Sequence, residues 1–163
     1  MKQGLKTYCI AICGMIALLT SCSTSKELRQ MNRKITGNWV LQTVVTDGTS
    51  GKPKDKIFNE ADFSCFIGSE WKFGRDNKGS YAIVDKQKDC PQITRNISWS
   101  FTETPNSPET ITLKRFDDKG NVMGDGPGFV LVVNQLDNTT MKLKSDVMID
   151  GHTAGIIYNF VKQ

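Results

Sequence analysis

The 163-residue chain has one histidine, His152, beside a turn signal near its end. It holds no Ser-His-Asp order, no HExxH, no glycine-rich phosphate loop and no EF-hand spacing. Asp117-Asp118-Lys119-Gly120-Asn121 offers oxygen ligands but lacks the alternating acids and closing Glu of a calcium loop, so it reads as a solvated turn. Catalysis, a metal and a cofactor therefore have no footing, and the chain is read as a non-enzyme. A field of one charge is also missing. Of the net +4, residues 1–21 carry +2 and residues 22–35 carry +3, which leaves −1 for residues 36–163 and no basic surface for nucleic acid. The longest apolar run, Tyr8 to Leu19, is 12 residues, short of the ~20 that cross a bilayer as a helix. No internal repeat interrupts an ordinary globular composition of 38% apolar and 23% charged residues, and one domain is expected.

What is present begins with an export pattern. Lys2 and Lys6 precede the apolar run, as in a signal peptide. The following Leu19-Thr20-Ser21-Cys22 resembles the lipobox of bacterial lipoproteins. That resemblance implies removal of residues 1–21, acylation of Cys22 by palmitate-type chains, and a tether over residues 22–35. Several acyl chains anchor stably where one is marginal. Ser23, by analogy with Gram-negative lipoproteins, does not mark inner-membrane retention, so the expected address is the outer membrane, facing the periplasm. An ordinary secretory cut near Ser21 is the alternative.

Five cysteines reduce quickly. Cys9 and Cys13 leave with the signal and Cys22 takes lipid, which leaves Cys65 and Cys90 in an oxidising compartment. Their spacing fits neither a CxxC redox motif nor a zinc site. A structural disulfide is expected, with two buried thiols as the alternative.

From residue 36 to 163 the pattern is of short alternating runs: Trp39–Thr46, Glu70–Arg75, Gly79–Val84, Thr94–Phe101, Thr110–Phe116, Phe129–Leu136, Thr139–Val147 and Thr153–Val161. Gly, Pro, Asn and Asp clusters separate them, which are strand and turn signals. Eight strands joined in sequence predict an all-β, up-and-down antiparallel barrel, with a two-sheet sandwich as the alternative. One short helix is expected at Asn59–Phe66, in the first long loop. Alternation puts Trp39, Leu41 and Val45 on one face, and likewise Ile97, Trp99 and Phe101, or Ile156, Tyr158 and Phe160. The first, third, fifth and seventh links (47–69, 85–93, 117–128, 148–152) share one end of such a barrel. That end is loop-rich and holds Cys65 and Cys90; tight turns close the other.

Gly37-Asn38-Trp39 resembles the Gly-x-Trp motif that opens lipocalins, and Tyr158-Asn159-Phe160-Val161-Lys162 is similar to the last strand of bacterial lipocalin-like lipoproteins. The resemblance implies that Trp39 sits at the closed end under a basic residue of the last strand. Lys162 stands there, where Arg is usual.

One polar pair stands out. Arg95 shares the inward face of strand four with Ile97, and Arg115 that of strand five with Ile111 and Leu113. Unpaired like charges on adjacent strands are unfavourable. A bound anion relieves them; so does solvent, or a pairing with Asp85 or Asp89. The expected site is an apolar cavity walled by Trp71, Phe73, Tyr81, Trp99, Leu113, Leu131, Leu143 and Tyr158, with both arginines at its mouth and residues 57–67 as a lid. It suits an amphipathic anion such as a fatty acid. A packed barrel whose loop-rich end binds a periplasmic protein is the second reading, and a barrel used as a reaction vessel the third. A void of roughly 300 Å³ separates the first two.

Overall fold

The computed structural model describes residues 26–47, 56–84, 89–124, 126–149 and 152–163. Cys22, Ser23, Asp85 and the Asp150-Gly151 turn lie outside them. The strands are β1 (Gly37–Asp47), β2 (Glu70–Phe73), β3 (Lys78–Ile83), β4 (Ile93–Thr102), β5 (Thr110–Phe116), β6 (Val122–Met123), β7 (Phe129–Leu136), β8 (Thr140–Ile149) and β9 (His152–Lys162). All pair antiparallel in the ring β4-β3-β2-β1-β9-β8-β7-β5, and β5 pairs back with β4. That pairing closes an eight-stranded up-and-down barrel and removes the sandwich alternative. The two-residue β6 is an annex on β5, with Arg115 opposite Met123, and is too short to leave a periodic signal.

Two β-bulges re-aim the faces. The register of β1 against β9 shifts between Leu41 and Thr43, so Gln42 is an extra residue. After it the parity inverts: Val44 packs against the core and Val45 is 46% exposed. The expected inward placement of Val45 is thereby corrected. A second shift, between Val133 and Gln135, adds Asn134 to β7.

Residues 26–35, expected as tether, form helix α1 (Lys26–Ile35). Leu28, Met31 and Ile35 recur at helical spacing and turn toward the barrel, Ile35 with no exposure. Glu27 in the first turn and Arg33 and Lys34 in the last complement the helix dipole. The helix caps the closed end. Trp39 Nε1 donates to the Ile35 carbonyl at 2.7 Å, and Lys162 Nζ lies 5.0 Å from the Trp39 ring while donating to the Lys34 carbonyl at 2.7 Å. Lysine thus fills the position where Arg is usual. Gly37 suits that position because its φ is +136°, which L side chains rarely adopt.

At the opposite end Cys65 and Cys90 are bonded, with Cα atoms 5.4 Å apart. The chain-entropy account gives a closed loop of this length roughly 3 kcal/mol. The long links do share one end. The helix in the first of them is shorter than expected: α2 spans only Phe63–Phe66, and Asp62 makes no side-chain cap.

The β7–β8 turn hangs on Asp137. Its carboxylate accepts from the Thr140 hydroxyl (2.7 Å), the Thr139 and Thr140 amides (2.8 and 2.7 Å) and Gln135 Nε2 (3.0 Å). These donors, the Thr140 hydroxyl foremost, hold its pKa well below the usual carboxylate range. A depressed folded pKa stabilises fully above the unfolded value and loses that contribution as pH falls through the folded one. Asp137→Asn should therefore lower the urea midpoint at pH about 7, and the gap to the parent should narrow as pH drops below about 4. A gap constant over that range contradicts the assignment.

Candidate functional site

Strand parity sends Arg95 and Arg115 inward at the open end. Arg115 stands opposite Ile97, one diagonal step from Arg95 on the adjacent strand. Arg95 in turn faces Tyr81 across β3–β4. All three converge on one carboxylate, that of Glu60. Arg95 Nε lies 2.6 Å and Arg115 Nη1 2.8 Å from Glu60 Oε1, and the Tyr81 hydroxyl donates to Oε2. The anion that the two guanidinium groups require is supplied by the chain itself, and Asp89 plays no part in it. Burial first, and then the Glu60 carboxylate, push the Tyr81 pKa upward, so its hydroxyl stays a donor.

The site is buried. The Glu60 and Arg115 side chains are each 7% exposed, Arg95 24%. Arg115 also lies over the Phe129 ring, 4.9 Å from its centroid. Its contact with Glu60 has the distance of an ion pair without hydrogen-bond geometry, and Nε and Nη1 are both buried with no hydrogen-bond partner. Charge is balanced there; hydrogen bonding is not.

Glu60 arrives on a tight turn. Residues 57–61 form a hairpin tip in which the Ile57 amide donates to the Ala61 carbonyl (2.9 Å) and the Glu60 amide to the Ile57 carbonyl (3.0 Å). Both central residues, Phe58 (φ +52°) and Asn59 (φ +57°), are left-handed. Asn tolerates this; Phe does not, at a cost on the order of 1–3 kcal/mol. The Phe58 ring is held regardless, because it enters the barrel mouth and meets five aromatic rings. Phe129 lies edge-on at 4.9 Å, Tyr158 stacks at 6.2 Å, and Phe66, Trp71 and Tyr81 complete the cage.

The expected cavity walls therefore enclose Phe58. Trp71, Tyr81 and Tyr158 touch its ring, and Leu113, Leu131 and Leu143 belong to the same packed core. Phe73 and Trp99 lie deeper, toward the closed end: Phe73 packs on Trp71 and Trp99, and Trp99 lines a groove of about 560 Å³ with Arg33 and Arg75 beneath α1. The open space at the mouth is a cleft of about 710 Å³ between the lid tip and β7–β8, bordered by Phe58, Phe129, Leu131, Ser145 and Val147. A smaller one of about 170 Å³ opens beside Arg115, Met123 and Phe129.

Sequence reasoning turned both arginines inward and paired the cysteines, but missed Glu60 and Phe58, which fill the mouth in place of the expected cavity. The available signal was the arginine pair itself, which needed an acid, together with an aromatic-Asn-acid run suited to a left-handed turn. Among the described residues no cluster of His, Cys, Asp and Glu could hold a metal.

The lipocalin-like domain profile matches residues 35–143. The chain belongs to the lipocalin-like domain family. No curated protein and no solved structure matches it. The family match spans the Gly37-Asn38-Trp39 opening, Glu60 and both arginines, and ends before Ser145, Val147 and Tyr158.

Breaking a buried ion pair by removing one member costs about 3–5 kcal/mol, whereas replacing both with apolar groups can be nearly neutral. Glu60→Gln should lower stability by about 3 kcal/mol, and adding Arg115→Met should restore part of that loss. A double-mutant cycle in urea checks this; two losses that simply add would show that the contact carries no coupling.

Proposed function

We propose that this lipocalin-like protein is a lipid-anchored, non-enzymatic component of the bacterial outer membrane, facing the periplasm, which binds a small amphipathic anion at the open end of its barrel. The observation that carries the ligand reading is the convergence of Arg95, Arg115 and Tyr81 on a single carboxylate above an aromatic interior. Such a site takes a carboxylate head by charge-assisted hydrogen bonds and an apolar tail by burial. Ten methylenes contribute about 8 kcal/mol before ordering costs, enough for micromolar affinity without a strong head-group contact. The arginines then select anions over neutral lipids.

A fluorescent fatty acid titrated into the full chain should quench tryptophan, and Arg95→Ala/Arg115→Ala should weaken the binding. Equal affinities would remove the arginine role. The packed interior favours a second reading, in which the loop-rich end binds a periplasmic protein; no binding of the fatty acid to either protein supports it.

The anchor rests on Leu19-Thr20-Ser21-Cys22. Cys22→Ala should abolish palmitate incorporation and leave uncleaved precursor or soluble protein. Undiminished labelling would end the lipoprotein reading.

A further inference from the structure

We infer that the lid tip is a built-in stand-in for the ligand, and that an amphipathic carboxylate enters by displacing Phe58 and Glu60 from the barrel mouth. The inference rests on the ligand reading above and specifies both its chemical class and its control. Phe58 and Glu60 together present an apolar ring and a carboxylate, the two halves of an alkanoate or arylalkanoate. The ring sits among Trp71, Tyr81, Phe129 and Tyr158; the carboxylate sits on the two arginines and the tyrosine.

Three observations make the stand-in displaceable. Its backbone is left-handed at Phe58 as well as Asn59, an unfavourable arrangement that release of the tip relieves. Arg115, more than nine-tenths buried, keeps Nε and Nη1 without hydrogen bonds although Glu60 is within ion-pair distance. A free carboxylate is not tethered to a turn and can meet the unpartnered Nε with hydrogen-bond geometry. Clefts open on two sides of the tip, the larger alongside Phe58. The disulfide at Cys65 and the fully buried Phe66 fix the chain just beyond the tip, so displacement ends at α2.

A site occupied by its own chain binds with the intrinsic affinity reduced by the fraction of open molecules. Weakening the closed tip must then destabilise the free protein and tighten ligand binding. A tip that is only part of the core gives the opposite sign for binding.

Asn59 is exposed, and valine disfavours a positive φ strongly. In the full chain, Asn59→Val should lower the melting temperature and tighten dodecanoate binding about five- to tenfold by calorimetry. Glu60→Gln should tighten dodecanoate by more than Asn59→Val does, and leave dodecanol, which lacks the charge, with no comparable gain; if that variant does not fold, Asn59→Val alone decides. Dodecanoate binding to the parent with equal or weaker binding to Asn59→Val overturns displacement and leaves the ligand reading intact. Failure of dodecanoate to bind the parent and both variants overturns the ligand reading, and displacement with it.

Discussion

A buried guanidinium cannot be left alone, and the open end of this barrel is organised by that constraint. Arg115 lies on an inward face between β4 and β7, with its side chain 7% exposed. A second cation, Arg95, stands one diagonal step away. An acid has to reach them, and Glu60 does so only because residues 57–61 turn back sharply enough to enter the mouth. Phe58 is carried in by the same turn. The filled interior, the left-handed backbone and the short α2 all follow from bringing one carboxylate to two arginines.

The two ends of the barrel solve different problems. At the closed end, Trp39, Lys162, Gly37 and α1 seal the interior with a cation over an indole, two main-chain carbonyls accepting, and a glycine at a φ that other residues rarely adopt. At the open end the seal is a five-residue tip with strained dihedrals and an arginine whose hydrogen bonds are incomplete. The strained tip and the well-bonded closed end thus lie at opposite ends of the barrel. The disulfide stands just beyond the tip.

Much of this was legible because a barrel strand writes its environment into the sequence with period two. The eight strands and the shared end of the long links came from that period and from turn residues, and the cysteine pair from elimination among five cysteines. The bulge at Gln42 was not legible, since Thr43-Val44-Val45 alternates no better in one parity than the other. Helix α1 was hidden by its polarity; only Leu28, Met31 and Ile35 betray the face that covers the barrel. At the site, the arginines announced a need for an anion, but the acid lay some 35 residues from Arg95 in sequence, in a segment whose spacing favoured a helix. Long-range electrostatics decided that segment, and local pattern does not report it.

Native-state hydrogen exchange measures the independence of the tip directly. The Ile57 and Glu60 amides are bonded within the tip, and the Lys162 amide donates to the Thr139 carbonyl at the closed end, in the scaffold. A docked but releasable tip predicts that the Ile57 and Glu60 amides exchange more slowly than in a free peptide, yet through an opening distinctly less costly than the one that exposes Lys162. Exchange of all three through one common unfolding event would make the tip part of the fixed core. That result would contradict the account.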